Sequence, residues 1–465
     1  MASSSPTDAS GPPGGTVEDL LVARLRQLGV RRTYGLAMRG LDHVPVEDPD
    51  LAVLLADADG RIGHDDGSGR LGAATLDGPI LHLSSAPGGQ TPLRTVGSVE
   101  DLVDALADPP GMDLPGTLAL HLDLDLHAPM PTVPVLAPEP ARVPVLVLDP
   151  SLHGLRILVL AGPGVVRTSS HAALRSLMHA AGAPVLATFG AVGLLRWDNP
   201  YHAGVGGLQA LDLSLGGLDD ADLVIATGLD DAEVVPGRLA GLVVQEVPPR
   251  QLGAFCAGWT SRTGPPTDRP SVRGALSEVL TRLWETTTAP FPAARAALHL
   301  TGALPDRGVV VADPGPAGFW VARGAPTSIP GAVCVPATVE SGFAAAAAFV
   351  AALDGRAVLA VTDPTGAAAD QTLGVVDLAR RLDVPLGLQV WGAEGPTRDA
   401  PAHVRLLEEL LDGRNGDGGR VRVEPVPVDL EVPDDLIDLA GPVTAWTAAG
   451  SGTAAAALDG PFDGE

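Results

Sequence analysis

The stretch from Leu155 to Asp231 constrains the fold more than any other part of this chain. An apolar run, Ile157 to Ala161, breaks at Gly162-Pro163-Gly164. A helix-period segment follows, then a second apolar run from Pro184 to Thr188, a glycine-rich loop, and a third run from Ala221 to Gly228. Short continuous apolar runs separated by helical segments mean βαβ units around a buried parallel sheet. Similar alternation lies on both sides of this block. The fold class predicted is therefore α/β, with three doubly wound parallel-sheet domains.

A chain of 465 residues is long enough for about three domains at roughly 150 residues each. Hydrophobic content of 45% with 18% charged residues is that of a globular protein with large cores. The net charge is −26, and all 30 basic residues are arginine. Without lysine there is no Schiff base of the pyridoxal kind and no GxxxxGK[ST] phosphate loop. The acidic balance argues against nucleic acid, which needs a basic stripe. Two cysteines, Cys256 and Cys334, make neither a disulfide framework nor a zinc knuckle, and sit among apolar residues as buried thiols. That usage fits a cytoplasmic protein. The N-terminus lacks the basic and apolar regions of a signal peptide. No run reaches membrane-spanning length, and the densest, Gly342 to Leu353, reads as a buried alanine-rich helix.

In chain order, residues 1–15 read as a disordered tail and 16–127 as a first domain. Thr16 caps a helix whose apolar face includes Leu20, Leu21, Leu25 and Leu28. Strands are expected at Arg32 to Leu36, Leu51 to Leu55, Pro79 to Leu83 and Leu118 to Leu126. Residues 128–150 hold seven prolines and read as an extended linker. The central domain covers 151–286, with its last strand near Ala240 to Val247. A third domain covers 292–445, with strands at Val309 to Ala312, Ala357 to Val361 and Pro385 to Val390. Residues 446–465 read as a second tail.

This layout resembles the acetolactate synthase-like family of thiamine diphosphate (ThDP) enzymes. The segments that carry the resemblance are, in order, LLVARLRQLGVRRTYGL, LAGPGVV, GAPVLATFGAVG, YHAGVGG, LDDADLVIATG, VVVADPG and VESGFAAAAAFVAALDGRAVLAVTDPTG. It implies a pyrimidine-domain-like first domain, a central domain and a diphosphate-domain-like third domain, in dimers or tetramers whose cofactor sites lie between two chains. It also implies that Asp363 is the metal ligand and that Asp313 and Asp363 lie on the cofactor face.

Three departures from the family pattern stand out. The family holds Mg²⁺ and diphosphate with Gly-Asp-Gly and a later Asn. Here the motif reads Thr362-Asp363-Pro364, and no Asn occurs at Gln389 to Gly392. Proline removes a donor N–H and fixes φ. The family also pairs a first-domain Glu with the cofactor's pyrimidine ring, which should lie just after the strand at Leu51 to Leu55. That place holds Ala56-Asp57-Ala58-Asp59. Asp57 is a stand-in one methylene shorter, and a misplacement near 1 Å can cost ~10²-fold in rate. Finally, Thr91 to Arg94 leads almost at once into Ser98 to Asp101, so a long stretch that carries substrate and dimer contacts in the family is missing.

Other constellations compete with ordinary structure. His121, Asp123, Asp125 and His127 alternate along one strand face and could offer a divalent-metal site, but same-face neighbours lie roughly 6.5 Å apart, too far for all four to meet one ion. Gly162-x-Gly164 hints at a phosphate site but lacks the GxGxxG spacing. Ser84, Ser85, Ser341 and His82 could suggest a hydrolase, yet none sits in GxSxG. Glu340 and Asp313 could bind polar ligands or simply end a strand and begin a helix.

The expectation is a degenerate ThDP-fold protein, a non-catalytic structural or regulatory subunit of a homo-oligomer or of a hetero-oligomer with an intact relative. No cofactor is expected in the chain alone. ThDP and Mg²⁺ bind if the site is retained or shared with a partner. The alternatives are an active, diverged decarboxylase or carboligase, and a module that binds another ligand in the cleft. Neither nucleic acid nor a membrane is expected as a partner.

Overall fold

The computed structural model describes residues 15–62, 71–77, 79–84, 93–107, 117–130, 155–234, 236–257, 259, 269–327, 329, 331–338, 341–412 and 420–446. The expected tails apart from Gly15 and Trp446, most of the proline-rich linker, Ser85 and Glu340 lie outside the described residues. Three sheets follow one another along the chain, each flanked by helices.

The first sheet holds β1 (Arg32–Gly35), β2 (Asp42–Pro45), β3 (Gly72–Leu76), β4 (Ile80–Ser84), β5 (Leu93–Val96) and β6 (Thr117–Leu122), in the order β2-β1-β3-β4-β6-β5. It is mostly parallel, but β4 runs antiparallel to β3 and β6. The reason is the connection: only Asp77, Gly78 and Pro79 separate β3 from β4. A link that short closes a hairpin and cannot make a parallel crossover.

The central sheet comprises β7 (Ile157–Ala161), β8 (Val185–Thr188), β9 (His202–Gly206), β10 (Leu223–Thr227) and β11 (Val244–Glu246), ordered β11-β10-β7-β8-β9 and parallel throughout. Every residue of β7 to β10 is buried, as their unbroken apolar runs require. The third sheet is also all parallel. Its strands β12 (Val309–Ala312), β13 (Val333–Cys334), β14 (Val358–Thr362), β15 (Leu386–Trp391) and β16 (Val421–Val426) are ordered β13-β12-β14-β15-β16.

One expected strand is a helix. Leu51 to Leu55 lies inside the helix Pro49–Ile62. Asp48 starts that helix: its side chain accepts the Asp50 N–H at 2.9 Å and its carbonyl accepts the Ala52 N–H at 3.0 Å. Pro49 enters the first turn, where a missing N–H costs nothing. From Leu51 to Ile62 every residue but Val53 is buried. A helix covered on all sides loses the polar face that marks the 3.6-residue period, so its apolar run reads like a strand. Gly72 lets β3 lie against it, since a Cβ there would stand 1.7 Å from the Ala56 carbonyl oxygen.

The opposite side of that helix packs on Phe343–Leu353, the alanine-rich helix of the third domain, which is buried from Phe343 to Ala351. Side chains from Pro49–Ile62 and Phe343–Leu353 belong to one apolar cluster, joined by strands β12, β14 and β15. A second cluster joins the central and third domains.

That second junction also carries a buried ion pair. Arg323, on the helix Pro316–Gly324, donates to both oxygens of Asp212 at 2.6 and 2.7 Å, and to the Val205 carbonyl at 3.1 Å. Asp212 further accepts the Leu208 and Gln209 N–H groups at 2.8 Å each. Both carboxylate oxygens are engaged, while Arg323 Nε is buried without a partner, so the pair depends on the geometry of its remaining contacts.

A polar chain threads the third domain. Arg295 Nε donates to His299 Nε2 at 2.8 Å, His299 Nδ1 meets His403 Nδ1 at 2.9 Å, and His403 Nε2 meets Gln389 Oε1 at 3.0 Å. Arginine is only a donor, so the direction is fixed along the chain. His299 carries its proton on Nδ1 and His403 on Nε2, and both rings are neutral. Burial first, then neighbouring charge, takes His299 down to about 4 and His403 down to about 3, from an ordinary 6.5.

Two outcomes follow from these contacts. Asp212→Ala leaves Arg323 buried and unpaired, and lowers stability by about 3–5 kcal/mol, read from the urea midpoint. The unfolded histidines take up protons near pH 6.5 and the folded ones only well below it, so this pair withdraws stability as pH falls from 6.5 toward 4. Asp313 and Glu233, raised by burial to about 6 and about 7, act in the opposite sense, so the test is a difference between proteins. His403→Gln makes the dependence of the urea midpoint on acid less steep than in the wild type.

Candidate functional site

The carboxyl ends of β12, β14 and β15 bring together the residues singled out in the third domain. Between β12 and β14 the strand order reverses, the place where open α/β sheets hold ligands. Asp313 follows β12 and Asp363 follows β14, and the two carboxylates are close enough that the Asp363 charge acts on Asp313. Asp313 is almost fully buried. Its Oδ1 accepts the Ala344 N–H at 2.8 Å, and its Oδ2 accepts the Thr362 hydroxyl at 2.5 Å. Burial is the main reason its carboxyl is raised to about 6, with Asp363 adding to it.

Asp363 is half-buried and serves as a helix cap. Its Oδ1 accepts the Gly366 N–H at 2.9 Å at the start of the short helix Pro364–Ala367. Pro364 fits the first turn of that helix because its absent N–H is not needed there. The same proline offers no donor to an anion. Where the family pattern has an Asn, β15 ends in Trp391 and Gly392. Trp391 is fully buried and its Nε1 donates to Gln389 Oε1 at 3.1 Å. Gly392 adopts φ +79°, which strains any other residue, and a Cβ there would stand 2.7 Å from the Leu430 side chain. The Gln389 oxygen is engaged by both Trp391 and His403.

Mg²⁺ requires a near-octahedral set of oxygens, usually completed by phosphate and water. Here Asp363 gives one oxygen, Oδ1, to a helix cap, and the Trp391-Gly392 end of β15 offers no side-chain oxygen. Among the described residues no cluster of three His, Cys, Asp or Glu could hold a metal. These residues do not fit a Mg²⁺–diphosphate cradle.

The first domain gives a different result. Because the second strand is β2 at Asp42–Pro45, the position just after it is Val46-Glu47-Asp48. Glu47 is exposed there, at the carboxyl end of β2 and immediately before the helix Pro49–Ile62. The expectation that no Glu follows the strand is therefore corrected: it placed the strand one element too late. The Asp48-Pro49 helix start was the signal that could have found it. Asp57 lies inside the helix, buried, with His82 Nε2 at 3.2 Å from its Oδ1, and is not at the strand end.

The remaining constellations dissolve into ordinary structure. β6 ends at Leu122, so His121 lies on a strand while Asp123, Asp125 and His127 follow in a turn, and the single four-residue face does not form. At Gly162-Pro163-Gly164 the backbone donors are already used, Gly162 N–H by the Thr227 carbonyl and Gly164 N–H by the Gly228 carbonyl, each at 2.9 Å. Ser84 is fully buried on β4 and His82 is engaged with Asp57. Cys256 and Cys334 are free and buried. No helix among the described residues is long and apolar enough to cross a membrane.

Comparison with known proteins agrees with this architecture. Residues 153–241 match the family model of the thiamine pyrophosphate enzyme central domain. The large subunit of acetolactate synthase from Corynebacterium glutamicum is 28% identical over 187 residues, 39% of this chain and 26% of that protein. The match thus spans about a quarter of that relative's length. A crystal structure from Mycobacterium smegmatis, described as a candidate thiamin diphosphate-dependent enzyme, superposes with a TM-score of 0.59 at 14% identity, covering 89% of this chain and 99% of that one. Residues 153–241 are thus similar to a thiamine pyrophosphate enzyme central domain, the chain has the three-domain α/β fold seen in a candidate thiamin diphosphate-dependent enzyme, and the acetolactate synthase large subunit is among its relatives.

Proposed function

We propose that this chain is a non-catalytic subunit of a cytoplasmic ThDP-enzyme assembly, one that has lost the diphosphate half of the cofactor site and kept the glutamate half. The observation that carries the reading is the end of β14 and β15. Asp363 is committed to capping Pro364–Ala367, and Trp391-Gly392 supply no second metal ligand. A chain of this kind binds no ThDP on its own. In the family the cofactor lies between the domains of two chains, so Glu47 faces outward to serve a site completed by an intact relative's third domain. The second reading, an active decarboxylase or carboligase, has Glu47 in its favour and lacks a metal site.

Two measurements separate them. For the purified chain, ThDP with Mg²⁺ leaves the unfolding midpoint unchanged; a saturable rise, which reaches about 2.7 kcal/mol at 100 times Kd, establishes the enzyme reading instead. Mixed with an intact acetolactate synthase large subunit, the chain forms a complex with ThDP-dependent activity that Glu47→Gln reduces by on the order of 10²-fold or more. No complex, or a complex indifferent to Glu47→Gln, removes the shared-site reading.

A further inference from the structure

All three domains contribute to one buried polar cluster that none of the chemistry above uses. Arg61 enters from the last turn of Pro49–Ile62 in the first domain. Arg167 ends the short helix Gly164–Arg167 after β7, and Asp230 and Glu233 lie in the loop after β10. Cys334 ends β13 of the third domain. Each of the five is more than nine-tenths buried. They gather at the carboxyl ends of β7 and β10, where the central sheet reverses its strand order.

Donors and acceptors in this cluster stand beside one another without pairing: both oxygens of Glu233 are buried with no hydrogen-bond partner, as are nitrogens of the two arginines. Arg61 Nη2 stands 3.7 Å from Glu233 Oε1, an ion pair too long to be a hydrogen bond, and 3.5 Å from the Gly190 carbonyl oxygen. Its Nη1 has no hydrogen-bond partner. Arg167 is more exceptional, because Nε, Nη1 and Nη2 are all buried without a partner. A guanidinium carries five N–H donors and accepts nothing, so leaving it dry and unbonded is costly. Burial, with the charge of Arg61 added, brings Arg167 down to about 9. Asp230 and Glu233 counter the two guanidinium charges in part, but neither reaches an Arg167 nitrogen as a hydrogen-bond acceptor. Planar guanidinium forks match the paired oxygens of a carboxylate or a phosphate.

We propose that the junction of the three domains is a binding site for a small oxyanion, of carboxylate or phosphate type, held by Arg167 and Arg61. Such an ion ties the first domain to the central one. The site is independent of the half-site centred on Glu47, and neither result bears on the other.

The test uses the full chain with inorganic phosphate and with acetate, against chloride at matched ionic strength. The unfolding midpoint rises saturably with phosphate, acetate or both, and which of them acts identifies the class of oxyanion. Arg167→Gln weakens the apparent Kd roughly tenfold or more, while Arg156→Gln, at an exposed arginine paired with Asp222, leaves it unchanged. If Arg167→Gln does not fold, Arg61→Gln is judged by the same criterion, alongside phosphorus NMR line broadening of phosphate on the wild-type chain. The proposal fails if neither anion acts beyond chloride, in which case water fills the cluster, or if the response survives in the arginine variant.

Discussion

Contact between two helices, Pro49–Ile62 and Phe343–Leu353, holds the first and third domains together. Alanine makes it possible: from Ala344 to Ala348 the third-domain helix carries no side chain beyond Cβ, and every one of those residues is fully buried. Close approach maximises dispersion contacts and leaves no room for polar groups. The same apolar cluster includes residues of β12, β14 and β15. Glu47 and Asp363 sit just beyond the carboxyl ends of β2 and β14.

Scaffold and site have diverged to different degrees, for a physical reason. Core positions are fixed by volume and apolarity, which many sequences satisfy. A metal cradle needs particular atoms at particular strand ends. At the end of β14, Asp363 and Pro364 begin a capped helix, and β15 ends in a buried indole. Both are good local structure. Pro364 suits a helix start, and Trp391 finds a partner in Gln389. The fold therefore accommodates both without strain, and the His299–His403–Gln389 chain reaches the same strand end from below.

Sequence alone made the parallel sheets legible where strands are buried on both faces. β7, β8, β10, β12 and β14 fall within two or three residues of the apolar runs that announce them. It misled at Leu51 to Leu55, where a helix buried on every side has no polar face and its period is invisible. That single misplacement hid Glu47. It misled again at β4, whose antiparallel direction follows from the short link after β3.

Asp313 and Asp363 could be named from their motifs, but their roles could not. That Asp363 caps a helix, that Asp313 is held near pH 6 by burial, and that Gln389 turns toward two histidines depend on which strands lie side by side. Arg61, Arg167 and Glu233 are far apart in the chain and share no motif. The sequence by itself determined the α/β class and the absence of an Asn from Gln389 to Gly392, because these rest on local pattern and residue identity. Only the tertiary structure decided which carboxylate stands at a strand end and which charges are buried together, because those facts depend on contacts between residues distant in sequence.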